Sequence, residues 1–232
     1  MKSVGIYTLG CKVNTYESEF VENELIKAGY EIKDFDDICD VYIINTCTVT
    51  NNSDSKSRKT IRQAIKRNPN ACVVAMGCFV AVNKDYHENG LDIVLGNKDK
   101  ANIVSLLDEY FKNKETIVRT YDSRLSEFED MRITEFPGRT RAFVKIQDGC
   151  DNFCSYCIIP FARGKCRSKK EDEVVEEVTD LVNNGYKEIV LTGIHISSYG
   201  SDLKNIKLLS ASYLLHLKNL RNLLFQNLVH SC

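Results

Sequence analysis

The sequence predicts an α/β protein, in which a doubly wound parallel-sheet domain is followed by the start of a second α/β unit. Short apolar segments alternate with segments of helical periodicity, and this alternation is typical of parallel sheets. Three of the apolar segments end next to a cysteine. The chain has 232 residues, of which 43% are hydrophobic and 27% charged, and these values are typical of a globular protein.

The first segment alternates regularly between strands and helices. Residues 4–9 predict a strand, and residues 17–28 predict a helix that Gly29 ends. Ser53 or Asp54 is expected to cap the next helix, which runs through Ile65 and ends before the Asn68-Pro69-Asn70 turn. The other predicted elements are strands at 41–44, 72–76 and 93–95 and a helix at 100–111.

The second segment contains a single predicted βαβ unit. A strand at 142–147, a helix at 171–183 and a strand at 188–192 require a parallel sheet. Residues 114–138 are charged and weakly periodic, which predicts a linker. Residues 201–232 are rich in Leu, Asn and Ser, are compatible with one amphipathic helix and do not continue the alternation. The predicted division is therefore 1–113, 114–138, 139–200 and an atypical tail at 201–232.

The composition limits the cellular compartments and the kinds of partner that the sequence can predict. The 31 basic residues nearly balance the 32 acidic ones, so net charge argues neither for nor against a nucleic-acid partner. No apolar run reaches the length of a membrane span, and the start lacks a secretory signal, so we expect a cytoplasmic protein with no membrane partner. Ten cysteines in a reducing compartment indicate metal binding or catalysis rather than disulfides.

Three cysteines follow the carboxyl ends of predicted strands. Because these ends meet at the ligand-binding edge of an open parallel sheet, Cys11, Cys47 and Cys78 are expected to converge there. A metal site is the favoured interpretation. Burial as small apolar side chains is the alternative, and it suits Cys39 and Cys72 better.

A second group of cysteines lies on one short loop. Cys150, Cys154 and Cys157 have C-x3-C-x2-C spacing, which suits an iron–sulfur cluster in which one iron lacks a protein ligand. Structural zinc is the competing interpretation, because Cys166 is available as a fourth thiolate.

This loop, with Tyr156 before its last cysteine, resembles the radical S-adenosylmethionine (SAM) superfamily. The resemblance implies that the open iron is chelated by the cofactor's methionine moiety, and that electron transfer yields a 5′-deoxyadenosyl radical. It also implies the start of an incomplete radical-SAM (β/α) barrel. Tyr156 and Gly193, which follows the strand ending in Leu191-Thr192, are the implied cofactor-binding residues.

Together, the two halves resemble the radical SAM methylthiotransferase family. The matching strings are Thr8-Leu9-Gly10-Cys11-Lys12-Val13-Asn14, Asn45-Thr46-Cys47-Thr48-Val49-Thr50, Gly77-Cys78, Gln147-Asp148-Gly149-Cys150, Cys157-Ile158-Ile159-Pro160, Arg163-Gly164 and Arg167-Ser168. The resemblance implies that Cys11, Cys47 and Cys78 ligate an auxiliary cluster that delivers sulfur to a C–H bond. The implied cofactors are thus two [4Fe-4S] clusters and SAM.

Within the family, the string from Gly10 to Asn14 with Tyr16-Glu17 is most similar to the branch that modifies N6-threonylcarbamoyladenosine in tRNA. This branch implies methylthiolation at C2 of that nucleoside, the tRNA anticodon region as a partner, and a flavodoxin- or ferredoxin-type reductant. The alternatives are the isopentenyladenosine branch, the ribosomal-protein branch, and a non-catalytic iron–sulfur or zinc protein.

Family members continue through a complete barrel and a small RNA-binding β-barrel. The chain resembles a truncated or frameshifted member, so we expect weak activity or none.

A basic predicted helix is the candidate RNA-binding surface, with a solvated helix face as the alternative. Its basic residues are Lys56, Arg58, Lys59, Arg62, Lys66 and Arg67. Arg163 and Arg167 flank the cysteine loop and suit either an anionic ligand or structural ion pairs. His195 suits a structural role better than contact with a cofactor.

Overall fold

The structure is a computed structural model, which describes residues 1–120, 127–129, 131–133 and 141–203 and the backbone of 224–225. It confirms the predicted fold class, because a parallel α/β sheet is followed by a second parallel unit. No helix within these ranges is both long enough and apolar enough to cross a membrane.

The first sheet is parallel throughout. Its strands are β1 (Ser3–Thr8), β2 (Glu31–Lys33), β3 (Val41–Thr46), β4 (Cys72–Gly77), β5 (Ile93–Leu95) and β6 (Ile117–Arg119). They lie in the order β2-β1-β3-β4-β5-β6. The first five follow the flavodoxin-like order 2-1-3-4-5, which reverses direction between β1 and β3. A ligand is therefore expected at the carboxyl ends of these two strands.

Helices cover both faces of this sheet. They are α1 (Lys12–Lys27), α2 (Asn51–Arg67), α3 (Cys78–Val82) and α4 (Ile103–Asn113). Along β3 the side chains alternate, so that Val41 and Ile43 pack with α1 and α4, whereas Tyr42 and Ile44 pack with α2. Because both faces are buried, the central strands β3, β4 and β5 are buried at every position and largely apolar, instead of alternating with polar residues.

The structure corrects several predicted boundaries. Thr50 caps α2, since its hydroxyl accepts a hydrogen bond from the Ser53 amide at 3.1 Å, so Ser53 and Asp54 are inside the helix. The strands β2 and β6 were not expected, because each has only three residues and includes charged ones, whereas the equally short β5 is entirely apolar. Strand β6 lies within residues 114–138, the stretch predicted as linker, and pairs with β5. The domain boundaries stay a prediction.

The second segment contains the expected βαβ unit. Its elements are β7 (Arg141–Lys145), β8 (Gln147–Asp148), α5 (Ile159–Arg163), β9 (Arg167–Ser168), α6 (Glu171–Asn183), β10 (Glu188–Thr192) and β11 (Leu224–Phe225). Strands β7 and β10 are parallel neighbours, and β8 pairs antiparallel with β9. Strand β11 pairs parallel with β10, so the helix considered for the tail does not hold at these two residues. The rest of the tail lies outside the described residues.

Helix α1 joins the two segments. Its buried residues include Tyr16 and Phe20, which belong to one apolar core with Ala142 and Val144 of β7 and Val178 of α6. The hydrophobic core is therefore continuous between the first sheet and the βαβ unit.

Candidate metal centre

The three strand-end cysteines lie where the topology predicts. Cys11 follows β1 and is the N-cap residue of α1, Cys47 follows β3, and Cys78 is the first residue of α3 after β4. Strands β1, β3 and β4 are adjacent in the sheet. The three residues thus share one sheet edge, beside the point at which the strand order reverses. The structure confirms this predicted placement.

Local packing brings the three cysteines close together. A Cβ added to Gly10, whose φ is +103°, would lie 3.1 Å from the Cys47 Sγ, so the backbone before Cys11 contacts Cys47 directly. Burial raises the pKa of the Cys78 thiol, and the neighbouring Cys11 contributes to the increase. Cys47 and Cys78 are only 5% and 3% exposed. A compact site is therefore available at this edge.

Polar side chains hold the loops that carry these cysteines. Asn14 Nδ2 donates to the carbonyl oxygens of Leu9 (2.8 Å) and Thr46 (3.0 Å), just before Cys11 and Cys47. Ser57 on α2 receives a hydrogen bond from the Cys47 amide and donates one to its carbonyl, at 3.2 and 3.0 Å. The backbone around two of the three thiols is thus anchored independently of any ligand.

The second group of cysteines surrounds a small cavity on the loop before α5. Its volume is about 190 Å³, and it is lined by Cys150, Asn152, Cys154, Tyr156, Cys157, Ile159, Ile194 and His195. Cys154 is exposed, whereas Cys150 and Cys157 are half-buried. Three thiols that open onto one cavity are a donor set suited to an iron–sulfur cluster.

An apolar contact connects the two groups of cysteines. Val13, Ile159 and Ile194 form a small buried cluster, and Cys11, Cys150 and Cys157 pack against it. No group of three or more His, Cys, Asp or Glu side chains in the described part of the chain is arranged to hold a metal ion. Ligation by the six cysteines therefore stays a proposal.

Behind both groups lies a buried charge network that was not predicted from the sequence. It comprises Glu17, Lys100, Lys145, Asp148 and Arg163, each at most 4% exposed at the side chain. Arg163 NH1 donates to Glu17 Oε1 and Asp148 Oδ1, both at 3.0 Å. Lys145 donates to Glu17 at 3.2 Å, and Lys100 also donates to Glu17.

Electrostatics keep this network charged. Burial alone would raise the pKa of Glu17, but the surrounding cations, Arg163 foremost, hold that pKa well below its usual value. Burial likewise opposes ionisation of Asp148, yet Arg163 and Lys145 lower its pKa. Both carboxylates are therefore held in their ionised form by the cations paired with them.

The other candidate residues have structural contacts. Arg163 and Arg167 form ion pairs with Asp148. The His195 ring contacts the hydroxyls of Ser197 (2.9 Å) and Ser198 (2.5 Å), but His195 also lines the cavity of the cysteine loop, so its structural role stays a prediction.

Cys166 and Gly193 both pack against Gln147. The Cys166 Sγ lies 3.4 Å from Gln147 Nε2, and Cys166 does not line the cavity of the cysteine loop. A Cβ added to Gly193 would lie 2.9 Å from the Gln147 Cβ, so close packing alone accounts for a glycine there. Tyr156 is 86% exposed beside the cavity. The predicted cofactor contacts of Tyr156 and Gly193 stay proposals.

Comparisons with known proteins identify two domain families. Residues 3–96 match the family described as "Uncharacterized protein family UPF0004", and residues 144–225 match the radical SAM superfamily. The chain therefore combines a UPF0004 domain with a radical SAM domain. The second match extends to residue 225, into the stretch that the sequence predicted as tail.

The curated relatives of this chain are tRNA methylthiotransferases and a methylthio-nucleoside synthase. The threonylcarbamoyladenosine tRNA methylthiotransferase MtaB of Bacillus subtilis (strain 168) is 44% identical over 88% of this chain, and that of Aquifex aeolicus (strain VF5) is 41% identical over 86%. The tRNA-2-methylthio-N(6)-dimethylallyladenosine synthase of Staphylococcus haemolyticus (strain JCSC1435) is 33% identical over 87%. These matches cover 46%, 49% and 41% of the relatives, so the chain spans about half their length. The predicted resemblance to this family is confirmed.

A solved structure shares the fold. The radical SAM methyltransferase TsrM from Kitasatospora setae, with tryptophan substrate and a SAM analog bound, superposes with a TM-score of 0.56 at 14% identity. The match covers 85% of this chain and 48% of that chain.

Proposed function

We propose that this chain carries the cluster-binding part of a radical SAM tRNA methylthiotransferase, which inserts a methylthio group at C2 of N6-threonylcarbamoyladenosine. The observation that carries the proposal is a single small apolar cluster against which cysteines of both groups pack, one group at the switch point of the sheet and the other on the C-x3-C-x2-C loop. Two groups of this kind suit a reaction that needs both a radical initiator and a sulfur source.

The proposed ligands are divided between the two clusters. Cys150, Cys154 and Cys157 would hold the cluster that binds SAM, and the auxiliary [4Fe-4S] cluster would be held by Cys11, Cys47 and Cys78. When bound, the first cluster supplies the electron that cleaves SAM, and the second supplies the site from which sulfur is delivered.

The chain's own residues position these groups and exclude water. Val13, Ile159 and Ile194 separate the cysteine groups with apolar side chains, so water is excluded from the space between them. Tyr156 lines the loop cavity and Gly193 directly precedes Ile194, which also lines it, and we assign both residues to SAM binding.

The substrate assignment rests on the relatives and on a basic surface. Identity to the threonylcarbamoyladenosine enzymes reaches 44%, against 33% for the dimethylallyladenosine enzyme, which favours the first nucleoside. On α2, Arg58, Lys59, Arg62 and Lys66 line one open concave face, as expected for contact with RNA phosphates.

The proposal includes the anticodon region of the tRNA as the substrate, a flavodoxin- or ferredoxin-type reductant, and a cytoplasmic location. A flavodoxin- or ferredoxin-type protein supplies electrons at the low potential that an iron–sulfur cluster of this kind requires. The cytoplasmic location is supported by the free thiols, which suit a reducing compartment. The second candidate function is a non-catalytic iron–sulfur or zinc protein, which the exposed position of Cys154 favours because its thiol is open to metal exchange.

Anaerobic reconstitution with iron and sulfide tests the ligand assignment. We expect about eight irons per chain, and about four when Cys11, Cys47 and Cys78 are all replaced by Ala, because each site would hold a four-iron cluster. Cys72→Ala is the matched control, since Cys72 is buried in β4 within the apolar core. Zinc without iron, or an equal loss of iron in the control, would contradict the proposal.

A second measurement tests the reaction class. The reconstituted chain is incubated with SAM, dithionite and tRNA that contains N6-threonylcarbamoyladenosine, and the products are analysed by mass spectrometry. We expect deoxyadenosine and the 2-methylthio nucleoside, at a low yield. Iron loading with neither product would support the non-catalytic candidate instead.

A further inference from the structure

The Arg163 side chain is fully buried, and it contacts the segments that carry both cysteine groups. Besides Glu17 and Asp148, Arg163 donates through NH2 to Asn14 Oδ1 at 2.6 Å. Asn14 in turn binds the carbonyls that precede Cys11 and Cys47. One guanidinium is therefore connected to two of the three ligand loops at the sheet edge.

The same side chain is connected to the C-x3-C-x2-C loop. Asp148 Oδ1 accepts a hydrogen bond from the Gly149 amide at 2.8 Å, directly before Cys150. The Cys150 amide donates to the carbonyl of Gly164, the residue after Arg163, at 3.0 Å. Since Arg163 itself ends the helix that follows Cys157, it is connected to both ends of this loop.

Asn97 completes the connection to the third cysteine. Its Nδ2 lies 3.5 Å from the Cys78 Sγ and donates to the carbonyl of Ala162 at 2.8 Å. Within the described part of the chain, the Arg163 Nε–H has no hydrogen-bond partner, so one buried donor remains for an acceptor such as a cluster sulfur.

We propose that Arg163 is a positioning residue that sets the relative placement of the two clusters, and that its buried positive charge raises the reduction potential of the auxiliary cluster. Nearby positive charge and N–H donors raise the reduction potential of an iron–sulfur cluster, because they stabilise its reduced, more negative form. The inference rests on the proposed function, in that it requires a cluster at Cys11, Cys47 and Cys78.

Two substitutions separate the effect of the Arg163 charge from the effect of its hydrogen-bond geometry. Arg163→Gln removes the charge, whereas Arg163→Lys keeps a charge but loses the fork that reaches Asn14, Glu17 and Asp148 together. Both are made in the chain with Cys150, Cys154 and Cys157 replaced by Ala, so that only the auxiliary cluster is loaded. Its potential is measured by a redox titration followed by electron paramagnetic resonance.

We expect a lower potential with Arg163→Gln and a potential close to that of the parent with Arg163→Lys. An unchanged potential with Arg163→Gln at full iron content would overturn the charge effect. Arg167→Gln is the matched control, because Arg167 also pairs with Asp148, while its guanidinium donates hydrogen bonds to the carbonyls of Arg163 and Lys165. It should leave the potential unchanged.

The geometric part is tested with both clusters loaded. We expect Arg163→Lys to weaken the magnetic coupling between the two reduced clusters, although the iron content stays at about eight. Unchanged coupling would overturn the positioning role. A parent chain that binds no iron at Cys11, Cys47 and Cys78 would instead contradict the proposed function, and the two failures are therefore distinguishable.

Discussion

At the scale of single residues, Glu17 is the anion on which three buried cations depend. Its carboxylate accepts hydrogen bonds from Arg163, Lys145 and Lys100. Glu17→Gln keeps the shape but removes the charge, so we expect the free energy of unfolding to fall by about 3–5 kcal/mol, as when one partner of a buried pair is removed. Anaerobic guanidinium denaturation followed by circular dichroism measures the loss.

Glu24→Gln is the control on the same helix. Glu24 pairs with Lys27, whose side chain is 66% exposed, so its removal should cost under about 1 kcal/mol. Equal losses for the two variants would show that the buried network adds nothing to stability.

The pH dependence of stability follows from the lowered pKa of Glu17. Because the folded-state pKa lies below the unfolded value of about 4.3, the stabilisation is fully present above that value and is lost as the pH falls through the folded pKa. We therefore expect a constant stability difference between the parent and Glu17→Gln across about pH 5–8. Denaturation series at several pH values measure it, and a difference that shrinks within that range would contradict the sign.

At the scale of elements, α2 presents its basic residues in two directions. Arg67 turns toward Asp36 and the Phe35 carbonyl, and Arg62 pairs with Glu88. Lys59 and Lys66 are exposed on the concave face. Of the six residues expected to form one RNA-binding surface, Lys59 and Lys66 suit phosphate contact, whereas Arg62 on the same face is already paired with Glu88.

Charge reversal on α2 tests that surface. We expect Lys59→Glu with Lys66→Glu to weaken tRNA binding about tenfold or more at low salt, and to reduce the salt slope by roughly two. Lys112→Glu with Lys187→Glu is the charge-matched control, because both residues are exposed and lie on other helices and loops. Binding is measured by fluorescence anisotropy over a salt series. Equal weakening in both variants would indicate a net-charge effect only.

The elements that sequence patterns predicted are those with a helical period or with an uninterrupted apolar run, such as β5. Strand Glu188–Thr192 and helix Glu171–Asn183 match their predicted bounds. The three-residue strands β2 and β6 were missed, because they are defined by pairing with β1 and β5 rather than by their own pattern. Helix α3, which starts at Cys78, is likewise too short for periodicity.

In the candidate site, too, some features could be predicted from the sequence and others could not. The strand-end positions of the cysteines follow from topology, and the C-x3-C-x2-C spacing is visible in the sequence. The Glu17 network was not predictable, because its members are separated by up to 146 residues and resemble surface charges. Their burial depends on how α1 packs against β7, which no local pattern specifies.

At the scale of the whole molecule, the two domain families share one core through α1. The Tyr16 hydroxyl contacts the Met131 carbonyl and lies 2.9 Å from Glu177 Oε1 on α6. Burial raises the pKa of Glu177, while Lys169 and Tyr16 oppose the increase. The UPF0004 and radical SAM segments are thus joined by buried polar contacts as well as by apolar packing, and we expect them to unfold together.

Tyr16→Phe tests this coupling. The substitution removes the hydroxyl while keeping the ring, so it leaves the Glu177 oxygen short of a partner at the junction, and we expect a loss of about 1–3 kcal/mol. Tyr7→Phe is the control, because Tyr7 is 42% exposed and a surface change of this kind costs under about 0.5 kcal/mol. Denaturation is followed both by circular dichroism and by cluster absorbance. Because the core is continuous, the two transitions should coincide in the parent and shift together in Tyr16→Phe. Independent unfolding of the segments would instead give two separate transitions. In that case, Tyr16→Phe would shift only the transition that is followed by cluster absorbance.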